Sequence, residues 1–555
     1  MDTIAYGQSL SKKRSIEGSV SVHGKISPAA GNRVGKISYL THKERLLTVF
    51  TVRETLLCTS QLMKGVGSAE VTKQVDGLIH QLGLTVCADT LVSRLSGGQR
   101  RRCAVAVELI NDKRDVLIMD EPTSGLDAHI ALELIKCFID LVGKGRTIVL
   151  SMHQPTSEIA ALLTNVMVLT SKGSVGFWGS KEQGLEFLSA LGYPAPKTWN
   201  PLDFFVEVVS DDFENRAGPS DVEDVSRAFA ASKYFTERVL KGTKDSTHQL
   251  LFFAPAHREV GLLQQYYILQ KRCLQVTWRN PGVLKVRTVI YTIVSVFIGL
   301  VFLKVGDSFD DQSIQSRNGV LFFVAGFYVF MSISRFCFAV FFFSSLSLAA
   351  DAQRPVSLPF WIADRHVYIS EKRNGLITPL PFAAAQMVTV ALVTFILSLF
   401  TTIFIVPMVQ LNNFGVYLGL LWVILFLADI FTAVVGTVAL NFLVGLVVCM
   451  AYWSSAMMME GFFITLNDIP VYFQWATWIM PTSYSFQTFM INEYGRNQTF
   501  DSTTFPDGQS VLNFFGYGPG GYFGQFDIGE LLAILILAFV GGFLCLFYSI
   551  VRFVW

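Results

Sequence analysis

The chain has 555 residues, room for two or three domains. Its mean hydropathy is +0.44, 51% of it is hydrophobic and 16% is charged, against roughly 25% charged in soluble domains. The net charge of +1 says nothing about nucleic acid, but no basic stripe runs through the first half, so no nucleic-acid partner is expected; the eight scattered cysteines, without CxxC spacing, do not make a zinc site or a disulfide framework.

The charges are unevenly spread. Of 44 basic and 43 acidic residues, about 23 lie after residue 290, so the first half has a soluble protein's charge density and the second a membrane protein's. Met1-Asp2-Thr3-Ile4-Ala5 leads into polar sequence with no signal peptide. Residues 1–210 alternate short apolar runs, such as Asp115-Val116-Leu117-Ile118-Met119 and Thr147-Ile148-Val149-Leu150, with helical stretches, which predicts an α/β layer fold with buried, mainly parallel strands. Residues 211–256 are rich in Asp, Glu, Lys and Ser and read as a solvated linker. Residues 257–287 set Lys271, Arg272, Arg279, Lys285 and Arg287 among Leu, Tyr and Trp, the pattern of an amphipathic helix on a membrane surface.

Six apolar stretches follow, at 288–305, 319–348, 382–408, 414–438, 442–466 and 529–551, each near the ~20 residues that cross a bilayer. Arg354, Arg365, Lys372 and Arg373 place the loop 349–381 in the cytoplasm. Segment 467–528 has one basic residue, Arg496, and the acceptor sequon Asn497-Gln498-Thr499, which places it outside, where Asn497 would be glycosylated.

The chemistry-bearing motifs lie in the first half. In Leu95-Ser96-Gly97-Gly98-Gln99-Arg100, a Ser–Gly–Gly run at a helix start offers N–H groups, a hydroxyl and the helix dipole to an anion. Next, Val116-Leu117-Ile118-Met119-Asp120-Glu121 is a buried strand ending in two carboxylates, one suited to Mg²⁺ and the next to an attacking water. Ser124-Gly125-Leu126-Asp127 follows, then His153 in Ser151-Met152-His153-Gln154-Pro155. Each element alone has a bland reading as a tight turn or a structural histidine; this order and spacing do not.

Together these residues resemble the ATP-binding cassette ATPases, with a signature loop at 95–100, a Walker B strand ending at Asp120 and a D-loop at 124–127. The resemblance narrows to subfamily G, the white–brown-complex half-transporters. Asn200-Pro201-Leu202-Asp203-Phe204-Phe205, Arg365-His366-Val367-Tyr368-Ile369-Ser370-Glu371-Lys372, Gly461-Phe462-Phe463, Met480-Pro481-Thr482-Ser483-Tyr484 and Asn492-Glu493-Tyr494 carry it, with the cassette preceding the membrane domain. It implies an incomplete N-terminal α/β cassette followed by an all-α polytopic membrane domain of about six helices. It further implies ATP and Mg²⁺ as cofactors, with Glu121 and His153 catalytic. Asp120, and His42 as a poor nitrogen substitute, would face the metal, and Ser96, Gly97, Gly98, Gln99, Asp127 and His153 would face nucleotide. Two cassettes sandwich ATP in that family, so Ser96 and Gly98 would meet the γ-phosphate of a partner's ATP.

Several features depart from the family. No GxxxxGK[ST] phosphate loop exists in the sequence; Gly31-Asn32-Arg33-Val34-Gly35-Lys36-Ile37-Ser38 is one residue short between its glycines. Met1–Gly7 resembles the helix just after that loop, which suggests a mis-assigned start, with genuine loss of the ATP site as the alternative. His42 stands where the family's Q-loop has Gln, and Mg²⁺ prefers oxygen. The stretch near 335–356, with Arg335, reads as an insertion. Asp429 and Glu460 are expected to be buried polar groups facing the bundle interior, in helix packing. The expected function is ATP-driven export of a hydrophobic or amphipathic small molecule or lipid by a homodimer or heterodimer of half-transporters. The expected setting is the plasma membrane, with the cassette cytoplasmic. The alternative is a catalytically defective subunit that lends its signature loop to an intact partner.

Overall fold

The computed structural model describes residues 20–22, 25–27, 37–42, 44–65, 69–110, 116–196, 199–210, 222–236, 260–280, 284–333, 357–439, 441–495 and 500–517 without 501 and 503, plus a few positions beyond 536. The stretch 335–356, the sequon at Asn497, residues 31–36 and most of the last apolar stretch lie outside the described residues. The chain divides into two units: Met1–Val260 with Arg373–Leu376, and Gly261–Lys372 with Ile377–Trp555.

In the first unit, the apolar runs become a parallel sheet. Strand β3 (Ile37–Leu40) pairs with β4 (Val116–Met119), which pairs with β5 (Thr147–Leu150), so Leu40 sits beside Met119 and Met119 beside Leu150. Leu117, Ile118 and Met119 are buried, as a strand covered on both faces requires. The short antiparallel pairs β1 (Val20–Val22) with β2 (Lys25–Ser27) and β6 (Val166–Leu169) with β7 (Val175–Gly179) complete the strands among the described residues. Helices α1 (Val52–Lys64), α2 (Ala69–Gln81), α3 (Gly97–Leu109) and α4 (Ala128–Gly143) share one core with the sheet, including Leu56, Val75, Leu117, Leu134 and Phe138. A second core lies under β7, where helices α5 (Ser157–Leu162), α6 (Lys181–Ala190), α7 (Pro201–Val208) and α8 (Val222–Ala230) supply Ala160, Phe187, Phe205 and Phe229 around Phe177. The α/β expectation holds. The stretch ending at Ile37-Ser38 enters a strand, where a phosphate loop would enter a helix.

The second unit is helical. Helix α9 (Leu262–Arg279) is amphipathic with an inverted polarity: Arg272 and Gln265 are buried, while Leu263, Tyr267 and Trp278 are exposed. That arrangement suits lipid outside and a polar interior. Helix α10 (Lys285–Val301) follows, then α11 (Asp311–Phe322), a π-helical turn (Phe323–Phe327) and α12 (Tyr328–Ile333). Helix α13 (Ser357–Arg373) is followed by α14 (Pro379–Val409) and α15 (Phe414–Val438), which have 31 and 25 residues and a hydropathy of 2.5 each, long and apolar enough to cross a bilayer. Helix α16 (Phe442–Met458) is apolar but shorter, at 17 residues. The helix that enters the second apolar stretch starts at Asp311, eight residues before the expected bound, and within it Arg317 is buried in an ion pair to Glu493, 2.9 Å.

Segment 467–528 contains α17 (Val471–Ile479), α18 (Pro481–Tyr494) and α19 (Gly508–Phe515). Within this segment α18 is buried along nearly its full length. Its hydroxyls explain this: Thr482 and Ser483 donate to the Ala456 and Met459 carbonyls, and Ser485 and Thr488 to carbonyls of their own helix. Asp429 is buried as expected, in a two-point pair with Arg287 at 2.8 and 3.0 Å.

Candidate nucleotide-binding site

The site grows from the end of β4. Beyond Met119 the Asp120 amide donates to Leu40 O, and Ser151, at the end of β5, holds the two carboxylate residues. Its hydroxyl donates to Asp120 Oδ1 at 2.6 Å and accepts the Glu121 amide at 2.9 Å. Glu121 has φ +48°, the left-handed region that a non-glycine residue enters at a cost of about 1–3 kcal/mol. The turn that follows is closed by the Ser124 amide donating to Glu121 O, and Gly125, at φ +74°, makes it possible. The strained Glu121 backbone is thus held on both sides, its amide by the Ser151 hydroxyl and its carbonyl by the Ser124 amide.

His42 leaves the end of β3 and brings Nδ1 to 3.4 Å from Glu121 Oε2; both side chains are partly open to solvent. His153 is exposed beside Gln154, which also has positive φ, +49°. Asp127 caps α4, accepting the Ile130 amide at 3.3 Å.

The signature residues form the N-terminus of α3. Ser96 and Gln99 make a reciprocal cap: the Gln99 amide donates to Ser96 Oγ at 3.2 Å, and the Ser96 amide to Gln99 Oε1 at 3.0 Å. Gln99 is therefore turned back on its own helix, while Ser96 and Gly97 are exposed. Gly98 lies against the following turn, where a Cβ would stand 3.0 Å from Leu126 Cδ2 and 3.3 Å from Gly125 O. Only glycine lets these two segments touch.

Sequence reasoning missed Arg101 and Ser151. Arg101 is 2% exposed. Nη1 donates to the Thr41 and His42 carbonyls at 3.0 Å each; Nη2 donates to Glu121 O at 2.9 Å and also to Asp120 O. One guanidinium thus straps the signature helix to the loop after β3 and the carboxylates after β4. Burial pulls its pKa down, against the opposing pull of Glu44, Asp120 and Glu121. Within Arg100-Arg101-Arg102 it resembles a solvated charge run. The signal was spacing: Arg101 shares a helical face with the buried Ala104, Val105, Glu108 and Leu109.

A hard cation fits Asp120 and not His42. Asp120 offers carboxylate oxygen, whereas the His42 imidazole faces Glu121. Among the described residues no group of three or more His, Cys, Asp or Glu gathers to hold a metal ion.

Two family models match the chain: ABC transporter over residues 8–124 and ABC-2 type transporter over residues 264–494. It is 27% identical over 530 residues to ABC transporter G family member 11 of Arabidopsis thaliana, covering 88% of this chain and 70% of that protein. It is 26% identical to G family member 8 of Dictyostelium discoideum, covering 94% and 80%, and 25% identical to G family member 1 of Petunia hybrida, covering 97% and 82%.

Proposed function

The chain belongs to the G family of ATP-binding cassette transporters, and on that premise we propose that it is one half of a dimeric, ATP-driven exporter of a hydrophobic or amphipathic molecule. The family makes it an integral membrane protein that couples nucleotide to transport. The observation that carries the finer reading is the Asp120–Glu121 pair, fixed by Ser151 and strapped by Arg101 to the signature helix.

In this reading Glu121 orients the attacking water and accepts its proton, with the nearby His42 imidazole setting its direction. Asp120 holds Mg²⁺, which spreads the phosphate charge when bound with ATP. Exposed Ser96 and Gly97, with Gly98 behind them, present backbone N–H groups to the γ-phosphate of ATP held by a partner subunit, and the cap leaves Gln99 a supporting role. Asp127 and His153, both exposed, complete the face toward the partner and the phosphate. In this reading the second unit spans the plasma membrane with the cassette in the cytoplasm, and the apolar exterior of α9 and the long apolar helices support its lying in a bilayer.

The test is ATP hydrolysis by the dimer containing this chain, homomeric or with another half-transporter, in lipid vesicles. Glu121→Gln and Gly98→Asp should each lower turnover at least tenfold, the first at this chain's carboxylate and the second at the partner's ATP. Turnover unchanged in both variants would show that neither residue serves nucleotide.

A further inference from the structure

Among the described residues the second unit buries the carboxyl side chains of Asp364, Asp429, Glu460 and Glu493 and partly buries that of Glu371, and four of these five have partners. Asp429 meets Arg287, Glu493 meets Arg317, Glu371 meets Arg272 at 2.6 Å, and Asp364 accepts from Gln386 at 2.6 Å. The fifth is Glu460, with 0% exposure and no hydrogen-bond partner on either carboxylate oxygen among the described residues. Only its backbone carbonyl is engaged, by the Tyr517 hydroxyl at 2.8 Å. An orphan acidic group inside a membrane bundle is costly to keep, and such groups mark functional sites.

Its surroundings are specific. The carboxylate faces Gly326, where a Cβ would stand 3.2 Å from Glu460 Oε2 and 2.9 Å from Met457 Cγ and Cε. Gly326 lies in the π-helical turn, a departure from the α-helix that recurs at functional sites. On the other side, Gly461 at φ +98° turns the chain into Phe462 and Phe463. The Phe322 ring stacks on Phe462, centroids 4.6 Å apart, and meets Phe463 edge-on at 4.9 Å. Phe463 is 63% exposed, so this aromatic cluster reaches the surface within three residues of the carboxylate.

An unpartnered carboxyl followed two and three residues later by clustered aromatic rings supplies both groups that recognise an ammonium, the carboxylate through charge and hydrogen bonds and the rings through their quadrupole. A hydroxyl would satisfy only the hydrogen bond. We propose that Glu460 is the recognition point for the ammonium head of a cationic amphiphile carried by this protein, with the Phe322–Phe462–Phe463 cluster receiving its apolar part. This specificity rests on the transport reading above and names the substrate class.

The test uses the full chain in lipid nanodiscs made of phosphatidylglycerol, with two fluorescent probes on one scaffold, dansyl-hexylamine and dansyl-hexanol. The wild type should bind the amine at least tenfold more tightly than the alcohol. Glu460→Gln should erase that preference while leaving alcohol affinity within about twofold. Glu460→Asp, which keeps the charge, should retain part of the preference. If Glu460→Gln does not assemble, Gly326→Ala should weaken amine binding more than alcohol binding. Including phosphatidylethanolamine should weaken the amine probe if a lipid head is the natural ligand, and leave it unchanged if a soluble amphiphile is. Equal affinity for both probes, or a preference that survives Glu460→Gln, overturns the proposal. Amine preference without ATP-dependent export would sink the transport reading and leave the site standing.

Discussion

Replacing Arg101 with methionine isolates the strap between the signature helix and the two loops. Methionine keeps an unbranched apolar stem in the same slot and removes all four bonds to the Thr41, His42, Asp120 and Glu121 carbonyls. A bond from a charged donor contributes roughly 1.5–3 kcal/mol. His42 is exposed and the other three residues are half-buried, so water recovers much of that for the released carbonyls. A net loss of about 3 kcal/mol in local stability remains, and at about 1.4 kcal/mol per decade it is ~100-fold in the opening equilibrium of both loops. Amide exchange read by mass spectrometry measures this directly. Peptides spanning 41–47 and 119–124 should exchange about a hundred times faster in Arg101→Met, while α1 and α2, which hold none of its four acceptors, stay as protected as in the wild type. Arg101→Lys, with three donors on one nitrogen, should fall between. Unchanged exchange at both loops, or an equal rise across α1 and α2, would refute a local strap.

Three further outcomes follow from buried groups. Burial pushes the Asp364 carboxyl up to about 6, with Glu371 adding to the rise and Arg272 opposing it. The folded state therefore keeps a proton that the unfolded chain has released, and stability should fall by up to ~3 kcal/mol as pH rises from about 4 to about 6, then level off. Asp364→Asn should flatten that slope in denaturant titrations, and a wild type with no slope there would contradict it. Glu493→Gln strands the buried Arg317 guanidinium and should cost about 3–5 kcal/mol of stability, whereas Arg317→Met with Glu493→Leu should cost less than the sum of the single changes. Gly98→Ala should destabilise the cassette by roughly 1–3 kcal/mol in a thermal melt, because the new methyl meets Leu126 and the Gly125 carbonyl; an unshifted melt would mean that the turn gives way freely.

What the sequence made legible, and what it hid, divides along one physical line. The parallel strands and the order of cassette motifs were readable because continuous apolar runs ending in Asp–Glu or Ser–His have few other folded solutions. Asp429 was readable because an acidic residue within a long apolar stretch must face inward. The hidden features are those in which a polar side chain is buried by a partner far away in sequence. Arg101 looks like the middle of a surface charge run until the carbonyls of 41–42 and 120–121 converge on it. The hydroxyl-rich sequence of Pro481–Tyr494 does not reveal its burial until its Ser and Thr groups return to helix carbonyls, including those of Ala456 and Met459. In each case the average polarity of a window is outweighed by pairwise satisfaction, which is a property of the fold and not of the window. Glu460 inverts this. It was legible as a buried group in helix packing, but helix packing supplies no donor to its carboxylate among the described residues. A side chain held there without a protein partner, next to a glycine that leaves room for it and a π-turn that no packing rule requires, is best accounted for by a partner that comes and goes.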